Sequence, residues 1–505
     1  MNGNSNNDDN NNKNNMIKTV NPATKDIISG QPQRVIILGS GFAGTEVLKN
    51  LQKKFHNDSN VDIILVSRDN FLLFTPMLPE VSSGAIETRH IVTPIRSLCN
   101  KAKFYQAEVK SIDLNSKRVV IEHAVGKHFA PADWHNHTLT YDYLVIALGS
   151  ETNFFGMSDV EKNSFTMKSI DDAIIIRNHI INALEQANIE EQDNNDNNNK
   201  DLRKSLLTFV VVGGGFSGIE TVGALNDFVR ETVREFYKNI YMTEIRIVLV
   251  SAEDKILAEV DEELGKFALQ KLKENGVEFI MNMQVNGASE NSAMLNNGTI
   301  IPCYTIIWTA GVTPNKLIAS LPCDHDNKSG RIISNSYLEV PGYNGVYVLG
   351  DCASITNPKT GKPYPPTAQY AIRQAKVAAK NIISAIKSKE TISNNKKQMR
   401  TAKKEKFDYQ AKGMMADIGD RNGVAIIFGF KLQGFIAWWL WRMFYLANLP
   451  TAKKKLKVMT DWIMDILFKP DVAMIKRFTK EEKRRGGGEE EKHHNLEVSG
   501  KMRSS

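Results

Sequence analysis

Cysteine is scarce in this sequence, which has four cysteines among 505 residues and no CxxC pair. The four are widely spaced, at Cys99, Cys303, Cys323 and Cys352. Disulfide scaffolds and zinc sites need grouped cysteines, so this spacing argues against both and fits a reducing compartment. No metal site is therefore predicted.

The two ends of the chain lack the features of targeting segments and of a packed core. Residues 1–33 are rich in asparagine, with no apolar stretch of a secretory signal and few basic residues for a mitochondrial transit peptide. Such polar sequence buries too little apolar surface to offset its ordering entropy. Residues 1–33 and the charged residues 479–505 are predicted to be disordered, and 188–200 to be a solvated loop.

The net charge is +7, which suits a nucleic-acid binder or a protein that rests on anionic lipid. No basic segment with interleaved stacking aromatics occurs, so a membrane surface is the expected partner and nucleic acid is not. With 505 residues, 42% of them hydrophobic, the chain should form more than one domain.

Two short apolar runs are each followed by a GxGxxG fingerprint. In this pattern the first glycine allows a tight turn, the second lets the backbone approach a pyrophosphate, and the third lets the next helix pack on the strand. Two such units in one chain predict two dinucleotides and electron transfer between them. The runs and their glycines are Arg34–Leu38 with Gly39, Gly41 and Gly44, and Phe209–Val212 with Gly213, Gly215 and Gly218.

Serine stands where an acidic residue commonly binds the ribose in such units. Ser67 and Ser251 hold these two strand ends. Glu253 or Asp254 could contact the second ribose instead, and no arginine is placed for a 2′-phosphate. NADH is therefore expected over NADPH.

Further apolar strands end in small residues, which allow backbone to approach a cofactor closely. They are Tyr143–Gly149, Ile306–Gly311 and Gly345–Asp351. Asp351 either contacts a ribitol or only begins a turn. Phe71–Pro79 contains two prolines and is predicted to be a fixed loop, which either covers a core or forms a wall of a flavin pocket.

A helix is predicted from Pro365 to about Ile386, followed by a charged linker to Lys406. From the residues alone, Gln369 and Gln374 are either ordinary polar helix positions or site residues.

The C-terminal region is apolar and aromatic. In Gly423–Leu449 the only charge after Lys431 is Arg442, and the length approaches the roughly 20 residues of a bilayer span. Arg442 lies inside the run, Pro450 ends it and aromatics crowd it, so an interfacial position is favoured over core helices or a span. Ala452–Phe468 is predicted to be an amphipathic helix. Its apolar face is Leu456, Met459, Ile463, Ile466 and Leu467, and its polar residues include Lys453, Lys454, Lys455 and Lys457.

The motif order resembles the type II NADH dehydrogenases between Arg34 and Phe478. The motifs are GSGFAG, FLLFTPMLP, VIALG, GGGFSGIE, WTAG, VLGDCA, PPTAQYAIRQA and FDYQAKGMMADIGDRNGVAIIFGFKLQGFIAWWLW. The resemblance implies a single-chain NADH:quinone oxidoreductase that holds FAD noncovalently and does not pump protons. It implies an α/β fold with two Rossmann-like domains of the glutathione-reductase type and a C-terminal amphipathic membrane anchor.

The expected domains are an FAD-binding domain in two segments, an NADH-binding domain between them and a membrane-anchoring quinone-site region. Their boundaries are 34–160 and 311–390, 161–310, and 391–478.

The resemblance also implies roles for individual residues. Glu220 would lie near the nicotinamide and the flavin, and Gln369 near the quinone; both are expected catalytic residues. Gly39, Gly41 and Gly44 would hold the FAD pyrophosphate, with Asp351 near the ribitol and Thr75 near the flavin ring. Gly213, Gly215 and Gly218 would hold NADH. The other expected cofactor-binding residues are Phe42, Ala43, Ala147, Gly149, Phe216, Glu253, Ala310, Gly311 and Gly350. Quinone and the flavin would contact Ala368 and Gln369, with Gln374 on the quinone side.

A peripheral homodimer on the cytoplasmic face of the cell membrane, which reduces the quinone pool, is the expected setting. A sulfide:quinone oxidoreductase is the alternative within the flavoproteins, but it needs a redox cysteine pair. A non-catalytic NAD(H)-binding sensor is the alternative from another class.

Overall fold

The computed structural model describes residues 32–123, 136–190, 197–393 and 403–474. Nearly all of the predicted N-terminal tail, all of the C-terminal one and residues 191–196 lie outside these ranges. The described residues form ten α-helices and 24 β-strands. The helices are α1 Phe42–Lys54, α2 Leu78–Ser83, α3 Ser158–Asn163, α4 Ile170–Ile189, α5 Asn197–Leu206, α6 Phe216–Phe236, α7 Glu262–Glu274, α8 Ala368–Ser393, α9 Phe435–Asn448 and α10 Ala452–Leu467. The strands of the first half are β1 Gln33–Leu38, β2 Val61–Ser67, β3 Phe71–Leu73, β4 Val92–Pro94, β5 Lys103–Asp113, β6 Arg118–His123, β7 His137–Thr140, β8 Tyr143–Ile146, β9 Ser150–Thr152, β10 Phe165–Thr166, β11 Thr208–Val212 and β12 Arg246–Val250. The remaining strands are β13 Val277–Ile280, β14 Val285–Ser289, β15 Ser292–Leu295, β16 Ile300–Pro302, β17 Thr305–Trp308, β18 Val312–Pro314, β19 Ile332–Ser334, β20 Val346–Val348, β21 Ala353–Ile355, β22 Gly413–Gly419, β23 Asn422–Ile427 and β24 Phe430–Gly434.

The first sheet has the strand order β20-β8-β1-β2-β5-β6-β7. Its first five strands are parallel, and β6 and β7 continue it antiparallel. Strand β8 and the last four residues of β1 are apolar and buried, as strands covered on both faces must be. Strand β20 comes from much later in the chain, so two distant segments build this sheet.

The second sheet is parallel throughout, in the order β10-β17-β11-β12-β13. Helix α6 follows its central strand β11 and buries the apolar positions expected from helical spacing. These are Ile219, Val222, Leu225 and Val229.

The two sheets place their fingerprints in the same way. Strand β1 lies between β2 and β8, and β11 lies between β12 and β17. Each fingerprint therefore starts where three parallel strands end together. Ligands bind at this edge in open α/β sheets, because the strand order reverses there and leaves a crevice.

The C-terminal region packs as a unit against the second sheet's helix. Strands β22, β23 and β24 form an antiparallel meander next to α6, and α9 packs against it. Helix α9 buries Ala437, Trp438, Trp441 and Arg442 on one face.

The prediction of a loop over Phe71–Pro79 was wrong. Strand β3, a 3₁₀ turn at Thr75–Met77 and the start of α2 occupy it. Pro79 lies in the first turn of α2, where a missing N–H costs nothing because no intrahelical acceptor is available.

The described ends of the asparagine-rich tract are helical, where a solvated loop was predicted. Helix α4 continues to Ile189, and α5 begins at Asn197. Arg203 of α5 is buried, pairs with Glu244 at 2.7 Å and donates to the carbonyls of Ala187 and Glu190. This tertiary anchor outweighs the low helix propensity of asparagine.

The aromatic stretch Gly423–Leu449 is not one helix. It begins with β23 and β24, which turn at Gly429 and Gly434 with φ of +88° and +71°. The 14 residues of α9 extend about 21 Å, against about 30 Å of bilayer hydrocarbon. Among the residues described, no helix has both the length and the apolar character needed to cross a membrane.

The predicted linker after Ile386 starts too early, because α8 continues to Ser393. Residues 394–402 of that linker lie outside the described ranges.

Candidate functional site

The first fingerprint has the backbone that a pyrophosphate needs. Gly39 has φ +99°, and a Cβ there would lie 2.2 Å from the Ala147 carbonyl oxygen. A Cβ on Gly44 would lie 1.9 Å from the Gly39 oxygen, whereas one on Gly41 would meet nothing within 4 Å. Gly41 caps α1 without a side-chain hydrogen bond, so the first amides of α1 face open space.

The second fingerprint repeats this geometry. Gly213 has φ +120°, with Thr309 and Ala310 about 3 Å from an added Cβ, and Gly218 is pressed against the Gly213 oxygen. Gly215 again borders open space and caps α6 without a side chain. Both loops therefore fit a dinucleotide, and Phe42 and Phe216 begin the two helices.

The turn Gly350–Asp351 lies against the first fingerprint. A Cβ on Gly350 would contact Ala371 and Ala43, and the Gly350 amide donates to Gln374 Oε1 at 2.8 Å. Gln374 is 3% exposed, so it contributes to the site by fixing this turn. Asp351 itself is half-buried and directly follows Gly350.

A hydrogen-bonded chain that the sequence did not predict orients Asp351. Lys168 Nζ donates to Ser150 Oγ at 3.0 Å, and Ser150 donates to Asp351 Oδ2 at 2.6 Å. Burial lowers the pKa of Lys168, while the nearby Asp351 charge opposes that shift. Asp351 is therefore fixed toward one rotamer.

A row of aromatic rings connects the first fingerprint to the C-terminal region. Ring centroids lie 5.7 Å apart for Phe42 and Phe74, 6.0 Å for Phe74 and Tyr445, and 4.6 Å for Tyr445 and Trp441. Trp441 Nε1 then donates to Glu220 Oε1 at 2.9 Å. Glu220, on the second fingerprint's helix, is thus linked to Phe42 of the first fingerprint through this row of rings.

Glu220 is half-buried among further acids. Burial raises its pKa to about 8; the Trp441 bond opposes this shift and the Asp417 charge adds to it. Its carboxyl group therefore keeps its proton to a higher pH than an ordinary glutamate does.

Of the two residues considered for the NADH ribose, Ser251 is buried and Glu253 is exposed. Ser251 is 2% exposed and lies against Gly214, where an added Cβ would be 2.7 Å from its hydroxyl. Glu253 is exposed at the same end of β12. At the first site, Ser67 shares a 2.8 Å hydrogen bond with Ser40.

The other predicted residues lie at the edges of these two loops. Thr75 is exposed between buried Phe74 and Met77, and Gly149 follows the end of β8 with φ +74°. Gly311 lies against Phe155. Ala368 and Gln369 are half-buried in the first turn of α8.

Comparisons with known proteins agree with this geometry. Residues 33–375 match the family model described as pyridine nucleotide-disulphide oxidoreductase, and residues 411–471 match the NDH2 C-terminal domain. The chain belongs to this oxidoreductase family.

Curated relatives assign the chain to a narrower group within this family. It is 32% identical over 446 residues to a probable NADH dehydrogenase of Dictyostelium discoideum, covering 87% of this chain and 91% of that protein. It is also 32% identical over 444 residues to the type II NADH:quinone oxidoreductase Ndh of Mycobacterium tuberculosis, covering 86% and 88%. The predicted membership of the type II NADH dehydrogenases is confirmed.

A solved structure supports the fold. NDH2 from Plasmodium falciparum, determined in complex with NADH, superposes with a TM-score of 0.75 at 22% identity, covering 88% of this chain and all of that one. The predicted α/β fold with two dinucleotide-binding units is therefore confirmed.

Sequence reasoning missed most partners of Glu220. Trp441, Asp417 and Glu80 come from three other elements, and the motif that contains Asp417 and Trp441 does not by itself place them beside Glu220. One signal was available: Glu220, Asp227 and Glu231 recur at helical spacing on α6, which places three carboxylates on one face.

Proposed function

We propose that this chain oxidises NADH and passes two electrons, through a noncovalently bound FAD, to a membrane quinone without pumping protons. One observation supports this most directly: the chain holds two dinucleotide loops of the same geometry, and contacting aromatic rings link the first loop to Glu220 beside the second. The flavin, when bound, accepts a hydride from NADH and returns two electrons to the quinone. The chain itself binds, orients and supplies protons.

Each loop has its own task in this proposal. The amides after Gly41 hold the FAD pyrophosphate, and Asp351, oriented by Ser150, accepts bonds from the ribitol. The amides after Gly215 hold the pyrophosphate of NADH. Ala368 and Gln369, on the first turn of α8, contact the quinone.

Glu220 is the proposed acid that supplies a proton for quinone reduction. With a pKa of about 8, it holds its proton below that pH and loses it above. Quinone reduction that depends on this proton should therefore slow as the pH rises through 8. A group with a pKa near the working pH is the best general acid.

Glu253 is the proposed contact to the ribose of NADH. Its exposed carboxylate can accept a bond from a 2′-hydroxyl and repels a 2′-phosphate. Ser251 is buried and cannot make this contact without rearrangement. NADH is the proposed donor for this reason.

Attachment to the membrane is proposed through a set of exposed apolar side chains, which we call the anchor face. Its members are large apolar side chains on the β23–β24 turn, α9 and α10 that remain exposed. They are Phe428, Phe430, Phe435, Ile436, Trp439, Phe444, Leu456, Met459, Ile463, Met464, Ile466, Leu467 and Phe468. Exposed apolar residues grouped in this way on a monomer mark an interaction surface, and rings at a helix surface suit the lipid interface.

Lysines contribute less to this attachment than the sequence suggests. Lys454 donates to the Arg89 carbonyl at 2.5 Å, Lys455 to the Ala447 carbonyl at 2.6 Å, and Lys457 lies 3.2 Å from His90 Nε2. These three ammonium groups bind the protein itself. Burial of apolar side chains in the lipid interface is therefore the main proposed force. The proposed location is the cytoplasmic face of the cell membrane.

The homodimer remains a proposal from the family resemblance. Sedimentation of the purified, detergent-solubilised protein measures its mass directly.

Anaerobic spectroscopy tests the proposed reaction. NADH should bleach the bound flavin, and a soluble quinone should restore its absorbance. Flavin that NADH leaves unbleached would contradict the proposal and favour the sensor. A sulfide:quinone oxidoreductase lacks support here, because all four cysteines are unpaired and Cys352 only donates to the Gly149 carbonyl.

A further inference from the structure

A polar cavity of about 680 Å³ extends from Glu220 to the protein surface. Helix α6 forms one wall, and α2, the β22–β23 turn, α9 and α10 form the others. Water takes about 30 Å³ per molecule in the liquid, so a polar cavity of this size accommodates many. The proposed function above gives this space no role.

Three carboxylates on one face of α6 line the cavity along its length. Glu220, Asp227 and Glu231 line it at positions i, i+7 and i+11. With a rise of 1.5 Å per residue, these Cα positions cover about 16 Å along the axis. Glu220 and Asp227 are half-buried and Glu231 is exposed, so the row extends from the site to solvent.

The β22–β23 turn bridges this row. The Asp417 amide donates to Glu220 Oε1 at 3.4 Å, and the Asp420 amide donates to Asp227 Oδ2 at 2.6 Å. Both carboxylates on α6 thus accept bonds from the end of β22 and the turn that follows it, and the Asp417 charge adds to the raised pKa of both.

The opposite wall contains buried polar atoms without partners. Glu80 is 7% exposed; its Oε1 accepts from Arg442 and Trp462, but Oε2 has no partner. Arg442 is 9% exposed and its Nε has none. Orphaned polar atoms that line a cavity indicate bound water there, because leaving them dry is costly.

Cations surround these acids on several elements. Arg442 lies on α9 between the rings of Trp438 and Trp462, at 4.3 and 4.8 Å from their centroids. It is 4.0 Å from Asp465 of α10. The other cations that line the cavity are Arg230, Arg234, Arg421 and Lys469.

We propose that this cavity is the route by which protons from water reach Glu220, with Asp227 and Asp417 as its relay and Glu231 at its entrance. This inference rests on the proposed function. The overall reaction, NADH + H⁺ + quinone → NAD⁺ + quinol, consumes one proton from water per turnover. Glu220 gives that proton to the reduced quinone, and water in the cavity returns one to it along Glu231, Asp227 and Asp417.

The electrostatics of the cavity suit this transfer. Burial raises the pKa of Asp227 to about 7 and that of Asp417 to about 6, and burial raises the pKa of Glu80 to about 8 despite the Arg442 charge. Burial also raises the pKa of Glu231 and of Asp465. Groups with a pKa near the working pH both gain and lose protons readily.

The test uses the flavin-loaded, full-length Asp227→Asn variant. Asparagine keeps an oxygen for the Asp420 amide but does not exchange the proton. Flavin reoxidation by a soluble quinone should become roughly tenfold slower above pH 7, with a larger solvent deuterium effect. Small acids that enter the cavity, such as azide or imidazole, should restore the rate. Glu274→Gln, an exposed carboxylate on α7, is the matched control.

A second readout does not depend on turnover. The infrared band of protonated carboxyl groups should be present in the resting protein at pH 7 and weaker in Asp227→Asn, but unchanged in Glu274→Gln. Glu231→Gln, at the exposed entrance, tests the route without risk to folding and should show a smaller slowing that the same acids rescue.

The outcomes separate the two proposals. If Asp227→Asn reoxidises like Glu274→Gln at every pH, or small acids do not rescue it, the relay is wrong. If the wild-type flavin is not reoxidised by quinone at all, the proposed function fails instead.

Discussion

The two fingerprints each have a glutamate two residues after their third glycine, and the two glutamates differ in chemistry. Glu46 lies 3.8 Å from the ammonium of Lys376 on α8 and accepts from Asn50. Glu220 instead accepts from the neutral indole of Trp441 on α9 and shares its surroundings with other carboxylates. One acid is paired with a cation, and the other has its pKa raised by burial.

This difference shows what a fingerprint specifies. The glycine spacing determines where backbone approaches a ligand, and it does so equally in both loops. The partner that reaches the following helix comes from a distant element and decides whether a carboxyl group balances charge or donates a proton. Chemistry at such a site is therefore set by tertiary packing.

The largest expected effect is the loss of a different cofactor from each of the two glycine loops when a side chain is added. Gly41→Val points a side chain into open space, so the protein should fold but lose its flavin and be colourless. Gly215→Val should keep the flavin and lose reduction by NADH. The absorbance at purification and after NADH addition measures both. A yellow Gly41→Val protein with stoichiometric FAD would contradict the assignment of the first loop.

The next effect contrasts the two glutamates. Glu220→Gln should slow flavin reoxidation by quinone by about a hundredfold at pH 7, since a positioned acid contributes at least that much. The decline of the wild-type rate through pH 8 should disappear in this variant. Glu46→Gln should preserve both the rate and its pH profile. Stopped-flow measurements from pH 6 to about 9 cover this range. Equal slowing of reoxidation in the two variants would contradict the different roles of Glu220 and Glu46.

Residues near their motifs were predictable, and residues that depend on long-range packing were not. The apolar runs of β1 and β11 and the buried face of α6 follow from periodicity. Helix α5 was missed because the buried Arg203 stabilises a helix that the asparagine-rich sequence disfavours, and the β22–β24 meander was missed because the turn at Gly429 was not recognised. Glu80 and Asp417 were missed for a related reason: they reach the site only through the fold.

Two glutamines on α8 give a smaller contrast. Gln369→Ala should slow flavin reoxidation about tenfold, the equivalent of about 1.4 kcal/mol, while NADH still reduces the flavin. Gln374→Ala removes the bond to the Gly350 amide and should lower stability by about 1 kcal/mol and weaken flavin binding. Half-reaction rates and thermal unfolding separate the roles. An effect of Gln369→Ala on the reductive half alone would place this residue on the wrong side of the flavin.

At the ribose position the contrast is between the buried and the exposed residue. Glu253→Ala should lower the preference for NADH over NADPH by about fivefold, near 1 kcal/mol, because one exposed hydrogen bond is lost and one repulsion removed. Ser251→Ala should change it little. The ratio of kcat/KM values with the two donors is the measurement, and equal kcat/KM for NADPH in the wild type would refute the assignment.

The smallest expected effect concerns salt and the anchor face. Each lysine near an anionic surface contributes on the order of 1 kcal/mol, which salt screens. Lys453→Ala removes only one such screened contribution, so it should change vesicle binding little. Because Lys454, Lys455 and Lys457 bind groups of the protein, high salt should release little protein. Ile463→Asp removes exposed apolar area worth about 25 cal/mol per Å² and adds a charge, so it should weaken binding clearly at any salt. Flotation with anionic and neutral vesicles compares the two variants. Complete release by salt alone would show that charge, and not the anchor face, holds the protein to the membrane.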